Sequence, residues 1–226
     1  MLGPRLPRRV NAFLTPCPDH RLSAATLELP QRDCTHTCPP SRRRPAPMTT
    51  AEPGPAALVV MGVSGSGKST IAQGLAEALG WDFIDGDDLH PPANIAKMSA
   101  GIPLEDADRW PWLEAIAVWL RRELDAGRSG VVACSALRRV YRERLRAAGP
   151  GVRFVYLDVA HEELARRMRG RRHFMPPALL GSQLATLEEP ASDEPALRVA
   201  ANGTVEATLA AVLRGLQQQG VASPPL

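Results

Sequence analysis

The chain has 226 residues, 44% of them hydrophobic and 23% charged, with a formal net charge of +3. That is enough apolar material for one core with a tail to spare, and the longest apolar run, AALVVMGV at 56–63, falls far short of the ~18 residues of a membrane span. The charge is unevenly divided: residues 1–47 carry eight arginines against three acids, leaving 19 basic and 21 acidic groups in the remainder, so a nucleic-acid role built on the basic pI has little footing.

Residues 1–47 also hold nine of the 22 prolines and three of the four cysteines, without helical or strand periodicity. CTHTC at 34–38 offers two thiols and a histidine, half of what a zinc site requires. The segment reads as a disordered or non-native extension over 1–56, with Met48 as the expected start of translation. Only Cys134 lies in the rest of the chain. With no internal disulfide available there, a reducing, cytoplasmic setting is expected.

From residue 57 to 220 the pattern is that of a single α/β domain. LVVMG (58–62) predicts a buried parallel strand. The next segment, GVSGSGKS (62–69), satisfies G-x-x-x-x-G-K-[ST], and Ile71, Ala72, Leu75, Ala76 and Leu79 then follow at helical spacing. Lying between a strand and a helix, Gly62, Ser64, Gly65, Ser66, Gly67, Lys68, Ser69 and Thr70 form a candidate nucleotide-phosphate site. Glycines let the loop turn its N–H groups inward, Lys68 can bridge the β- and γ-phosphates, and the Ser69 hydroxyl can ligate Mg²⁺.

WDFID (81–85) predicts a second strand ending beside that loop, and it runs into FIDGDDLHP (83–91). Asp85 and Asp87 are two apart, so continued strand geometry would point both into one crevice. One could then hold the magnesium shell while the other meets a substrate hydroxyl in line with the γ-phosphate and accepts its proton. Asp88 reads more simply as a solvated or capping acid. His90 could cap the turn or donate to substrate oxygens.

WPWLEAIAVWLRRELDA (110–126) predicts an amphipathic helix with Trp110, Leu113, Ile116, Ala117, Leu120 and Leu124 on its apolar side. GVVACS (130–135) predicts a third strand, which puts Ser135 and Arg138 at its C-terminal end, where open α/β sheets bind ligands. In the following helix Arg139, Arg142, Arg144 and Arg146 read as a solvated face. VRFVYLDV (152–159), a helix from His161, LRVAANG (197–203) and a helix over 204–219 complete the alternation. The expected fold is a parallel five-stranded sheet flanked by helices. Between them, RRMRGRRHFMPP (166–177) packs five arginines into seven residues. They would repel one another without an anion, as suits a lid that closes on a triphosphate.

The segments DGDDLHPPANIAKMSAGIPLEDADRWPWL (85–113), CSALRRVYRERLR (134–146) and HFMPPALLGSQLATLE (173–188) are far more specific than the phosphate loop. Through them the chain resembles the bacterial-type gluconate kinases of the shikimate-kinase-like P-loop group, over 57–215 and not over 1–47. The resemblance implies ATP-dependent phosphorylation of D-gluconate at its 6-hydroxyl, dependence on Mg²⁺, no nucleic-acid or membrane partner, and allows a homodimer. It places Gly65, Gly67, Lys68, Ser69 and Thr70 on the phosphates and metal, Asp85 at the magnesium shell, and Asp87 at the substrate-contacting base position. His90 and Arg109 fall in segments lining the sugar-acid pocket. A planar guanidinium at Arg109 could clamp the gluconate carboxylate; an ion pair with Asp106 or Asp108 is the plainer use. Arg138 is a second anion candidate. Lid roles fall to Arg167 and Arg171, then Arg172. His173 is placed at the substrate or at the lid hinge. The family's lid carries a glycine before the His-Phe pair where this chain has Arg172, so the lid register differs by one residue.

Three other readings compete. A shikimate-type kinase would carry a glycine-rich turn where this chain has CSAL. A nucleoside monophosphate kinase would need arginines placed for a second phosphate, whereas 92–112 offers Lys97 and Arg109 among several acids, which suits a sugar acid better. An RNA-binding module would leave the Asp85/Asp87/His90 cluster without a purpose.

Overall fold

The computed structural model describes residues 54–169 and 178–222. The predicted strands form β1 (Ala57–Met61), β2 (Asp82–Asp85), β3 (Gly130–Ala133), β4 (Val152–Asp158) and β5 (Ala196–Ala200), paired in the order β2-β3-β1-β4-β5. Every pairing is parallel, with Val59 opposite Val132 on one side and Phe154 on the other. Alternation along the strands sorts the core into two layers. Val59, Met61, Val132 and Phe154 face α3 (Asp106–Asp125) and α4 (Arg139–Arg146), meeting Leu113, Ile116, Leu120 and Leu145. Leu58, Val60, Val155 and Leu157 face α1 (Lys68–Leu79) and the C-terminal helix at Val205–Gln218, meeting Ile71, Leu75, Val212 and Leu216. Both faces of β1 are covered, so all five of its residues are buried.

Three shorter helices complete the described chain: α2 (Pro92–Ser99), α5 (His161–Arg169) and α6 (Ala178–Thr186), and the C-terminal helix is α7. A small apolar cluster of Val63, Leu137, Leu164 and Leu180 joins the phosphate loop, the turn after β3, α5 and α6 at the C-terminal end of the sheet.

Two expectations are corrected here. Helix α3 begins at Asp106, a turn before the expected Trp110, because the Asp108 carboxylate accepts the Glu105 backbone N–H at 2.9 Å and starts the helix ahead of Pro111. Its apolar side includes Trp112 rather than Trp110, which stays 38% exposed. The two tryptophans flank the apolar arc on opposite edges. Trp112 is the one buried because its indole N–H reaches Gly86 O at 2.6 Å.

The second correction concerns Arg142, which is no part of a solvated face. Its side chain is 1% exposed and pairs with Glu194 through Nε at 2.5 Å and Nη2 at 2.8 Å. Nη1 donates to the carbonyls of Ala136, Leu137 and Glu188 at 2.8–3.3 Å. A burial this deep is tolerable for a guanidinium because its donors are nearly all used. The extension over 1–53, with CTHTC, lies outside the described residues, as do Arg171, Arg172 and His173.

Candidate active site

The phosphate loop turns between β1 and α1 on three glycines at positive φ: Gly62 at 142°, Gly65 at 83° and Gly67 at 94°. Gly67 is the residue before α1, and its left-handed backbone aims the helix's first N–H groups back into the loop. No acid sits in the first turn of α1, which leaves that positive end for an anion. The Ser69 and Thr70 hydroxyls are exposed there, while Ser66 packs inward against Gly62. Lys68 turns its ammonium under the loop and donates to Val63 O at 3.1 Å. Burial lowers its pKa, and the nearby carboxylates of Asp87 and Asp85 pull in the opposite direction.

The acidic stretch is built differently from the extended geometry expected of it. The strand stops at Asp85, and Gly86–Leu89 form a 3-10 turn in which Asp85 Oδ1 accepts the Asp87 N–H at 3.1 Å. Gly86 is required at this point: a Cβ there would lie 2.4 Å from Ala133 O on the neighbouring strand. The turn carries Asp87, not Asp85, to the wall of the central cavity. Asp88 is exposed, as expected of a solvated acid.

That cavity brings together Ser64, Lys68, Asp87, His90, Arg109 and Ser135. All six are polar or charged and come from four separate stretches of sequence, so the fold assembles what the spacing could only nominate. His90 is 8% exposed, and its ring stacks on Trp112 with centroids 4.2 Å apart and planes at 14°. Burial, helped by the Arg109 charge, pushes its pKa down to about 4. Arg109 reaches the cavity from α3, with Nη1 donating to the Tyr141 hydroxyl at 3.0 Å and lying 3.6 Å from Asp106 Oδ1. Tyr141 in turn donates to Asp106. The Asp106 ion pair and the cavity position therefore hold together for Arg109.

Arg138 is not in this cavity. It pairs with Asp106 Oδ2 at 2.5 Å and with Glu188 at 3.5 Å, and it lines an adjoining groove with Glu105, Thr186 and Leu187. Ser135 does line the cavity, and the next residue, Ala136, holds a left-handed backbone (φ 42°) whose carbonyl is one of those bound by Arg142.

On the other side of the phosphate loop a second cavity lies between Gly65, Gly67, Thr70, Arg167 and Thr204. Arg167 comes from α5 and donates to Ser66 O at 3.2 Å, Ala201 O at 2.7 Å and Glu163 at 2.7 Å. The hydrogen bonds of Arg166 and Arg167 pull the Glu163 carboxyl down to about 2. The loop thus separates two chambers, one lined by Asp87 and Arg109, the other open beside the N-terminal end of α1.

Sequence reading gave no role to Gln183 and missed Trp112, Tyr141 and Asn94. Gln183 Oε1 accepts the Ser64 N–H at 2.7 Å, tying α6 to the phosphate loop. Trp112, Tyr141 and Asn94 support His90 and Arg109. Tyr141 sits on the buried side of α4 beside Leu145, a periodicity that was available, but the many arginines of that helix masked it.

Among the described residues no group of three or more His, Cys, Asp or Glu could cage a metal. The Ser69 hydroxyl and the Asp85 carboxylate are oxygen donors of the kind Mg²⁺ takes, and the ion needs only one or two of these beside phosphates and water. No described helix is long and apolar enough to cross a membrane.

Comparison with known proteins agrees with this fold. A family model described as an AAA domain matches residues 58–190. The gluconokinase of Gluconobacter oxydans (strain 621H) is 52% identical over 166 residues, covering 73% of this chain and 93% of that protein. The crystal structure of a gluconokinase from Sinorhizobium meliloti 1021 superposes with a TM-score of 0.68 at 47% identity, over 74% of this chain and 95% of that one. An unliganded sugar kinase from Janibacter sp. HTCC2649 gives 0.70 at 46% identity, over 75% and 99%.

Proposed function

The chain belongs to the gluconokinase family of P-loop kinases, and from that premise we propose that it transfers the γ-phosphoryl group of ATP to the 6-hydroxyl of D-gluconate, giving 6-phospho-D-gluconate and ADP. The observation that carries the reading is one cavity shared by Lys68, Asp87, His90 and Arg109. A sugar acid presents hydroxyls and a carboxylate, and this wall offers an acceptor, a ring N–H and a guanidinium to match them.

The phosphate loop and the α1 N-terminus hold the β- and γ-phosphates by backbone N–H groups, and Lys68 offsets charge as it builds on the transferring group. Asp87 accepts the proton of the 6-hydroxyl as that oxygen bonds to phosphorus and the bond from phosphorus to the leaving ADP oxygen breaks. Arg109 binds the carboxylate end and so orients the far end of the substrate. Mg²⁺, held by Ser69 and Asp85, would supply neutralisation of the phosphate oxygens. Arg167 stands beside the phosphate loop already; Arg171, then Arg172, are proposed to act with it on the phosphates, and His173 to meet the substrate or serve the lid hinge. The family resemblance also supports a homodimer in the cytoplasm without nucleic-acid partners.

The test is ADP release from Mg·ATP by protein started at Met48, with gluconate, shikimate, AMP and no acceptor in parallel. Turnover with gluconate alone is the expected result. Turnover with shikimate or AMP instead would reassign Asp87, His90 and Arg109 to another acceptor. Lys68→Ala should abolish turnover with every acceptor.

A further inference from the structure

His90 is held on three sides. Its backbone N–H donates to Asp87 O at 3.3 Å, its ring lies flat on Trp112, and its Nδ1 is 3.3 Å from Asn94 Nδ2. Trp112 is itself fixed by its bond to Gly86 O. The direction of the Asn94 contact follows from a second bond. Asn94 is 3% exposed, and the same amide nitrogen donates to Asp108 O at 2.8 Å. A backbone carbonyl can only accept, so the –NH₂ end of Asn94 must face it, and the second amide proton is left for His90. Nδ1 is then an acceptor, and the ring proton belongs on Nε2.

We propose that Asn94 is a positioning residue that sets the tautomer of His90, so that Nε2–H is presented to the cavity as a hydrogen-bond donor for a hydroxyl oxygen of the substrate. The proposal rests on the gluconate reading for the identity of that oxygen and deepens it. The acceptor pocket then carries three kinds of polar contact: Asp87 takes a proton, Arg109 binds an anion, and His90 gives an uncharged N–H. An uncharged donor suits a hydroxyl, because it adds no second cation to compete with Arg109 for the carboxylate.

The charged and titratable groups lining the cavity with the ring are Lys68 of α1, Asp87 of the 3-10 turn, Arg109 of α3 and Tyr141 of α4. Lys97 and Asp108, beside Asn94, are paired with each other at 2.7 Å. Burial and the Arg109 charge keep the ring from taking a second proton near neutrality. The geometry and the electrostatics therefore agree on one protonation state.

The deciding experiment is a long-range ¹H–¹⁵N correlation spectrum of the ¹⁵N-labelled wild-type protein near neutral pH, with His90→Gln assigning the signals. The expected result is an unprotonated Nδ1 and a protonated Nε2. A proton on Nδ1 overturns the proposal. Asn94→Asp supplies the functional arm, since a carboxylate accepts from Nδ1–H and draws the proton to that side. The gluconate KM should rise about 10-fold, as for one lost hydrogen bond, with the ATP KM unchanged. The gluconate kcat/KM should also acquire a pH dependence near neutrality. A wild-type KM with a flat pH profile overturns the proposal as well, and if the variant does not fold, the wild-type spectrum decides alone. Absence of gluconate turnover by the wild type would overturn the functional reading and leave the tautomer measurement standing, so the two failures are distinct.

Discussion

Asp87 and His90 sit three residues apart and depend on the protein in opposite ways. Asp87 is exposed on a turn and needs only to be aimed, whereas His90 is buried and must be kept from ionising. Asp87→Asn should lower kcat by at least ~10²-fold, the lower end for a lost general base, with ATP affinity by calorimetry nearly unchanged. Near-normal turnover would remove the base assignment. For His90 the expected effect is on stability. Its folded pKa of about 4 lies below the 6.5 of an unfolded chain, so between those values the unfolded state binds a proton that the folded state refuses. The stabilisation is complete above pH 6.5 and is lost as pH falls towards 4. Thermal melts over that window should show a smaller acid-induced drop for His90→Gln than for wild type; equal drops would show that His90 is not the sensor. The residue types at the site were legible in the sequence, because the phosphate loop and the D-x-D cluster have few other uses. What was not legible was which aspartate enters the cavity. That depends on Gly86 abutting β3, a contact between distant residues with no local signature.

Elements were read well where periodicity was strong and less well where charge obscured it. The first four strands and helix α7 fall within two residues of expectation, because buried runs bounded by glycine carry their own punctuation, while β5 ends three residues before the expected LRVAANG does. Helix α4 misled, since its four arginines, Arg139, Arg142, Arg144 and Arg146, look uniformly solvated. One of them, Arg142, instead ties α4 to the segment around Glu194 and to the turn after β3, where Ala136 holds its left-handed backbone. Arg142→Ala leaves Glu194 buried without its cation and three carbonyls short of a donor. The loss should be about 3–5 kcal/mol by urea unfolding, the range for breaking a buried pair. A loss below 1 kcal/mol would mean that water replaces the guanidinium. The hydrogen bonds from Arg142 also hold the Glu194 carboxyl below its usual range, so this contribution is present at neutral pH and fades as acid protonates Glu194.

For the molecule as a whole, the parallel α/β architecture followed directly from alternating strands and helices, while the order of the strands did not. Order is set by which crossover packs on which face, and the sequence states only that crossovers exist. The two apolar layers of the described residues close around β1 from within 57–222. A chain started at Met48 should therefore melt in one transition at the same temperature as the full chain, measured by calorimetry. A clear drop would give the extension a structural role.

The central place of β1 has a consequence during synthesis. Its partners are β3 and β4, so the strand made first cannot be fully paired until Asp158 has been added, nearly a hundred residues later. At translation speeds of about 5–20 residues per second, the run ALVVM waits roughly 5–20 s without its neighbours. During that interval the most hydrophobic strand of the enzyme is an unsheltered sticky segment on a growing chain. Helix α1, which follows at once and packs on one of its faces, is its earliest cover.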